Sequence, residues 1–127
     1  MDRILIVDDE FLIRYTLEEG LKDRGYDAYS AATVEEGLEF VRKYHPGVLL
    51  LDNLLENSVG MDEIVNFKNA DEELQVIMMT AYGSVSQAVE ATKRGAYDYI
   101  LKPFDVDEID MLITGKQADA EILKKLE

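Results

Sequence analysis

Three short runs in this chain are apolar without alternation: Ile4-Leu5-Ile6-Val7, Val48-Leu49-Leu50-Leu51 and Val76-Ile77-Met78-Met79. A strand with one wet face alternates, whereas a continuous run means that both faces are covered, as in a parallel sheet flanked by helices. Each run stops abruptly at polar residues: Asp8-Asp9-Glu10, Asp52 and Thr80.

Between the runs the period becomes helical. Ile13, Leu17 and Leu21 recur every four residues among Arg14, Glu18, Lys22 and Asp23, and Gly25 stops that helix. A short strand is expected from Tyr26 to Ala31. Thr33, with Glu36 three residues on, predicts a capping box that opens a helix carrying Leu38 and Val41 and ending before Pro46. Gly60 to about Asn69 predicts a helix with Met61, Ile64, Val65 and Phe67. Ser84 caps a helix through Ala88, Val89 and Ala91, stopped by Gly95. Tyr97 to Leu101 is the last expected strand, running into Lys102-Pro103, and Asp105 with Glu108 predicts the cap of a final helix.

The order is strand then helix, five times, which predicts an α/β fold with helices on both faces of a parallel sheet. Ligands in such sheets bind at the carboxyl ends of the strands, near the switch in strand order. The strand-terminal residues are therefore the candidates for chemistry: Asp8, Asp9, Asp52, Thr80 and Lys102.

Composition narrows the field. The 127 residues fit one domain, with 47% hydrophobic and 31% charged residues, a globular balance. Without cysteine, the chain has no disulfide, thiolate zinc site or cysteine nucleophile. Met1-Asp2-Arg3 leads straight into an apolar run far too short to cross a bilayer, so no signal peptide or membrane segment is expected and the protein reads as cytoplasmic. The net charge of −14 repels phosphate backbones and argues against direct nucleic acid contact. Such charge serves solubility in general. Its position at strand ends adds a second reading, in which carboxylates converge on a cation.

Three bare carboxylates at neighbouring strand ends repel one another and need a compensating cation. Oxygen ligands at a hydrated edge suit magnesium. Lys102 adds a fixed positive charge and Thr80 a hydroxyl, groups suited to stabilising a phosphoryl group in transit, with a carboxylate as nucleophile. Taken singly, each group has an ordinary structural explanation: an acidic pair favouring a helix N-terminus, a Lys-Pro loop, a threonine cap. Their joint occurrence at successive strand ends points to a site.

The stretches ILIVDDE at 4–10, VLLLD at 48–52, VIMMTA at 76–81 and DYILKPF at 98–104 resemble the receiver domains of two-component response regulators, over nearly the whole chain to about Thr114. The stretch TAYGSVSQAVEATKRGAYDYILKPFD is most similar to receivers of sigma-54-dependent transcription activators. The resemblance implies a flavodoxin-like fold of five parallel strands in the order 2-1-3-4-5 with five helices. It implies phosphorylation of Asp52 by a sensor histidine kinase or phosphotransfer protein. Asp9 would bind magnesium directly, Asp8 largely through water, and the main-chain carbonyl of Leu54 would join Asp52 as a ligand. Thr80, Ala81 and Lys102 would surround the phosphoryl oxygens. Thr80 and Tyr99 would form the switch that changes the face of the fourth helix, fifth strand and fifth helix, and so controls an effector, in these relatives transcription. Beyond its own phosphorylation and slow dephosphorylation, such a domain is not an enzyme.

Receivers usually carry a proline four residues after the phosphoacceptor, and here that position is Glu56. Loss of the fixed φ should loosen the Asn53–Val59 loop. Neither Leu54 nor Tyr82 offers a carboxylate or amide to orient a hydrolytic water, which implies a long-lived phosphate. Phe11 and Leu12 are expected to place at least one side chain in the core; the alternative is a partner face, with Tyr82, for a phosphotransfer helix. Residues 1–115 are expected to form the domain. Residues 116–127 are expected to be a helical extension or the start of a linker, with Ile109, Leu112, Leu123 and Leu126 as a candidate dimerising seam. A homodimer through that helix or through the switch face is a candidate assembly. His45, before Pro46, reads as an exposed helix end.

Other chemistries fit less well. A haloacid-dehalogenase-type phosphohydrolase wants a second Asp where Leu54 stands, a flavin protein wants a Ser/Thr/Gly-rich loop where Asp8-Asp9-Glu10 stands, and a pseudo-receiver would lack the acidic pair, Thr80 and Lys102.

Overall fold

The computed structural model describes residues 3–55, 58–81 and 83–115. The elements alternate as expected: β1 (Arg3–Val7), α1 (Phe11–Lys22), β2 (Asp27–Ala31), α2 (Val34–Tyr44), β3 (Val48–Asp52), α3 (Gly60–Ala70), β4 (Gln75–Thr80), α4 (Val85–Lys93) and β5 (Asp98–Leu101). A fifth helix, α5, occupies residues 106–115. The sheet is parallel with strand order β2-β1-β3-β4-β5.

The continuous apolar runs are divided by the two-residue period of the strands. Leu5, Val7, Leu49, Leu51, Val76 and Met78 face one core with Val34 and Val41 of α2 and Ile64 and Phe67 of α3. Ile4, Ile6, Val48, Leu50, Ile77 and Met79 face the other, with Leu17 and Leu21 of α1 and Ile109 and Ile113 of α5. Burying a large aliphatic side chain stabilises the fold by about 1.5–3 kcal/mol. The sheet, covered on both faces, is therefore the rigid part of the molecule.

The capping residues act as their positions predict. Thr33 Oγ1 accepts from the Glu36 N–H at 3.2 Å, Ser84 Oγ from the Gln87 N–H at 3.1 Å, and Asp105 Oδ1 from the Glu108 N–H at 3.0 Å. Gly25 and Gly95 end their helices at φ of +89° and +108°, a region that favours glycine. Tyr26 and Tyr97 fall just outside their strands, differences of one residue at element ends. Val65 points to solvent on α3, while Ile64 and Phe67 fill the core.

Phe11 and Leu12 correct the expectation that one of them is a core residue: they are 71% and 73% exposed. The α1 face turned to the sheet is taken by Leu17 and Leu21 with half-buried Ile13, and the first turn overhangs the sheet edge. Ile109 is fully buried in the domain's own core and Leu112 packs against it, so Ile109 is not available to a dimerising seam. Leu123 and Leu126, like Glu56 and Tyr82, lie outside the described residues. His45 is exposed, as expected of a helix end, and its Nδ1 lies 3.2 Å from Asp71. No helix among the described residues is long and apolar enough to cross a membrane.

Candidate functional site

The chain leaves β1 toward β2 on one side and later places β3 on the other, so the strand order reverses between β1 and β3. Val7 and Leu51 are register partners there, and Asp8 and Asp52 follow them at the carboxyl edge. Carboxylate oxygens of Asp8, Asp9 and Asp52 lie within 4.8 Å of one another. Asp8 is fully buried, Asp52 is 3% exposed and Asp9 is half-buried.

Lys102 reaches into this group from the end of β5. Its Nζ donates to Asp52 Oδ1 at 3.0 Å and stands 3.6 Å from Asp8 Oδ2. The lysine is placed by its own backbone, since its N–H donates to the Thr80 carbonyl at 2.7 Å. Thr80 ends β4 and is buried beside the cluster in sequence register with Leu101. Ala81 follows it on the surface, and Tyr99 is half-buried against the core.

Burial is the largest influence on the Asp52 carboxyl and pushes its pKa up; the hydrogen bond and charge of Lys102 and the Leu54 N–H pull it partly back. The Asp8 carboxyl is also pushed up, first by burial and further by the charge of Asp52, against a hydrogen bond from the Glu10 N–H at 2.9 Å. Burial pulls the Lys102 ammonium down, but the hydrogen bond to Asp52 and the charges of Asp52 and Asp8 outweigh it, so its pKa lies above the ordinary value. The Lys102 ammonium thus stands against two of the cluster's three carboxylates.

Asp8 Oδ2 is buried without a hydrogen-bond partner. An orphaned buried carboxylate oxygen is costly, and a divalent cation among oxygen donors is the usual remedy. The donor set and this oxygen therefore fit magnesium at Asp8, Asp9 and Asp52.

The loop after Asp52 folds back on itself. Leu54 bridges Val59 antiparallel, the Leu55 N–H donates to Ser58 O at 3.0 Å, and the Met61 N–H donates to Asn53 Oδ1 at 3.1 Å. Gly60 sits so close that a Cβ there would collide with the Asp52 carbonyl oxygen. Leu54 itself is 58% exposed. Arg14 has a positioning role not evident from its place on a polar helix face: its Nη1 donates to the Asp8 carbonyl at 2.8 Å and ties α1 to the acidic turn. The spacing of six residues between Asp8 and Arg14 was the available signal, and by itself it says little. Phe11 and Leu12 stand exposed near this edge.

The fold and the strand-end cluster together define a doubly wound α/β domain with an acidic pocket. The pattern of the response regulator receiver domain matches residues 4–114, and the chain belongs to that family, the receiver domains of two-component response regulators. It is 39% identical over 108 residues to sporulation initiation phosphotransferase F of Bacillus subtilis (strain 168), covering 85% of this chain and 87% of the relative. It is 35% identical over 113 residues to the regulatory protein AtoC of Escherichia coli (strain K12), covering 89% of this chain but 24% of that protein. Among solved structures, the beryllofluoride-activated NtrC4 receiver domain dimer superposes with a TM-score of 0.82 at 36% identity, covering 95% of this chain and 98% of the other.

Proposed function

We propose that this domain accepts a phosphoryl group on Asp52 from a sensor histidine kinase or phosphotransfer protein. The observation that carries the reading is the Asp8–Asp9–Asp52 cluster closed by Lys102 at the switch in strand order. Asp52 is the carboxylate that Lys102 holds by a hydrogen bond, and it is the nucleophile. Lys102 and the Thr80 hydroxyl bind the phosphoryl oxygens, and Ala81 leaves the entrance open. Asp8, Asp9, Asp52 and the Leu54 carbonyl would hold magnesium, which supplies positive charge to offset that of the phosphoryl oxygens. Arg14 keeps the acidic turn in place through the Asp8 carbonyl.

The added charge of the phosphoryl group draws Thr80 toward it and frees room for Tyr99. That change alters the α4-β5-α5 face, where Val85, Leu101 and Met111 are exposed. The readout is control of an effector, with transcription the reading favoured by similarity to a probable transcriptional regulator of Porphyridium aerugineum, and dimerisation the reading favoured by the NtrC4 receiver dimer, here assigned to this exposed face. Residues 116–127 would offer a second route to a dimer that does not use Ile109. Residues 1–115 form the switching unit, and its place is the cytoplasm, where kinase and effector meet.

Incubation with magnesium and acetyl phosphate should yield one acid-stable, base-labile phosphate per chain. Its persistence in Asp52→Ala would overturn the assignment.

A further inference from the structure

A cavity of about 480 Å³ opens between α1 and the segment after β5. That is within the roughly 300–1,000 Å³ of small-molecule sites. Leu12 and Ile13 form one wall, Pro103 and Phe104 another, and Ala81 and Lys102 join it to the strand-end site. Only Thr16 and Lys102 among the lining residues carry polar side chains, and no carboxylate lines it. The Lys102 ammonium that bounds this cavity is the one bonded to Asp52 at 3.0 Å. An apolar groove with a single cation at the end nearest a nucleophile suits a ligand with an anionic head and an apolar tail.

We propose that this groove seats the acyl chain of a small-molecule acyl phosphate, so that the domain accepts phosphoryl groups faster from longer-chain donors than from acetyl phosphate. The inference rests on the reading of Asp52 as phosphoacceptor. An Asp52 carboxylate oxygen forms a bond to phosphorus while the bond from phosphorus to the bridging oxygen breaks. That oxygen leaves with the electron pair as the donor's free carboxylate, and no proton or redox partner is required. In-line displacement puts the leaving group opposite Asp52. Ala81 and Lys102 border both sites, so the departing chain passes the groove's rim.

The test is the second-order rate constant of Asp52 phosphorylation, with magnesium, by acetyl, butyryl and hexanoyl phosphate. Their leaving carboxylates are nearly equal in acidity, so rate differences report contact with the chain. Half-burial of two methylenes corresponds to a gain of about fourfold. The expected order is therefore hexanoyl above butyryl above acetyl, by about fourfold at each step. Thr16→Phe, which fills the groove from an exposed helix position, should leave the acetyl phosphate rate unchanged and flatten the series. Independently of that variant, pentylphosphonate should shift the amide resonances of Ile13, Thr16 and Phe104 where methylphosphonate does not.

Equal rates along the series, with Asp52 phosphorylated by all three donors, would overturn the groove assignment and leave the phosphoacceptor reading standing. So would a Thr16→Phe variant slowed only toward a phosphohistidine protein, which would give the groove to a protein donor. Failure of every donor to label Asp52 would overturn the phosphoacceptor reading and the groove with it.

Discussion

Lys102 bonds to Asp52 at 3.0 Å yet only approaches Asp8, whose Oδ2 lies 3.6 Å away without a hydrogen bond. The lysine is committed to one carboxylate, and the more deeply buried one is left under-compensated. The two carboxylates are thereby distinguished within one cluster: Asp52 is the one bonded to the lysine, and Asp8 carries the electrostatic demand that a cation would meet.

Asp8→Asn should therefore stabilise the metal-free protein. It removes a buried negative charge that burial penalises and that the charge of Asp52 further disfavours. Thermal unfolding should show a higher Tm for the variant without magnesium. Magnesium should raise the Tm of the parent chain and leave that of the variant nearly unmoved. A variant less stable than its parent, with both correctly folded, would contradict this account.

The same two groups set a pH dependence. Asp8 and Asp52 bind protons more readily folded than unfolded, because burial raises their pKa. Stability from these groups is therefore lowest above the raised folded values. It recovers as pH falls through those values, and the recovery is complete below the ordinary carboxylate value, where both states are protonated. The stability gap between Asp8→Asn and the parent should narrow as pH drops, as read by denaturant titration at a series of pH values. Magnesium affinity should weaken over the same interval, since protons and metal compete for the same oxygens. A gap that widens on acidification would sink the argument.

Most of the fold was legible because burial on both faces leaves a simple mark. Ile4–Val7, Val48–Leu51 and Val76–Met79 are uniformly apolar because each residue faces one of two cores. The strand-end residues were legible for a related reason, since a charged residue directly after such a run must lie at the sheet's edge. Less was legible where packing depends on where a helix begins. Phe11 and Leu12 look like core residues, but the first turn of α1 projects past the sheet and leaves both exposed. Ile109 fitted a dimer seam by spacing, yet α5 needs it to cover β1, β3 and β4. The role of Arg14 depends on a backbone carbonyl, which no side-chain pattern marks.

Gly60→Ala should destabilise the domain although it places a better helix former in α3. The propensity gain is at most about 1 kcal/mol and smaller at a first helical position. The added methyl meets the backbone oxygen of Asp52, which cannot rotate aside as a side-chain end would. Overpacking of this kind costs about 1–3 kcal/mol. Urea unfolding should show a net loss, and the Asp52 phosphorylation rate should fall as the strand end shifts. A neutral or stabilising result would mean that the loop from Asn53 to Gly60 yields more easily than its hydrogen bonds suggest.

The proposed phosphorylation of Asp52 carries a last consequence, the lifetime that the side chains around it would give the phosphate. Hydrolysis of an aspartyl phosphate needs a water oriented for attack, and a positioned acid or amide is what orients it. Leu54 stands exposed two residues after Asp52 and offers neither group. Tyr82, two residues after Thr80, offers a phenol but no carboxylate or amide. The phosphorylated form should therefore persist for minutes or longer once the donor is removed, as followed by intact-protein mass spectrometry. Leu54→Glu introduces a carboxylate at an exposed position where the helix and strand cores are not disturbed. It should shorten the half-life by about tenfold, below the usual contribution of a well-placed base because the residue is not held by its neighbours. Decay of the parent within seconds, or a Leu54→Glu variant as long-lived as the parent, would show that water reaches the phosphate by a route these side chains do not control.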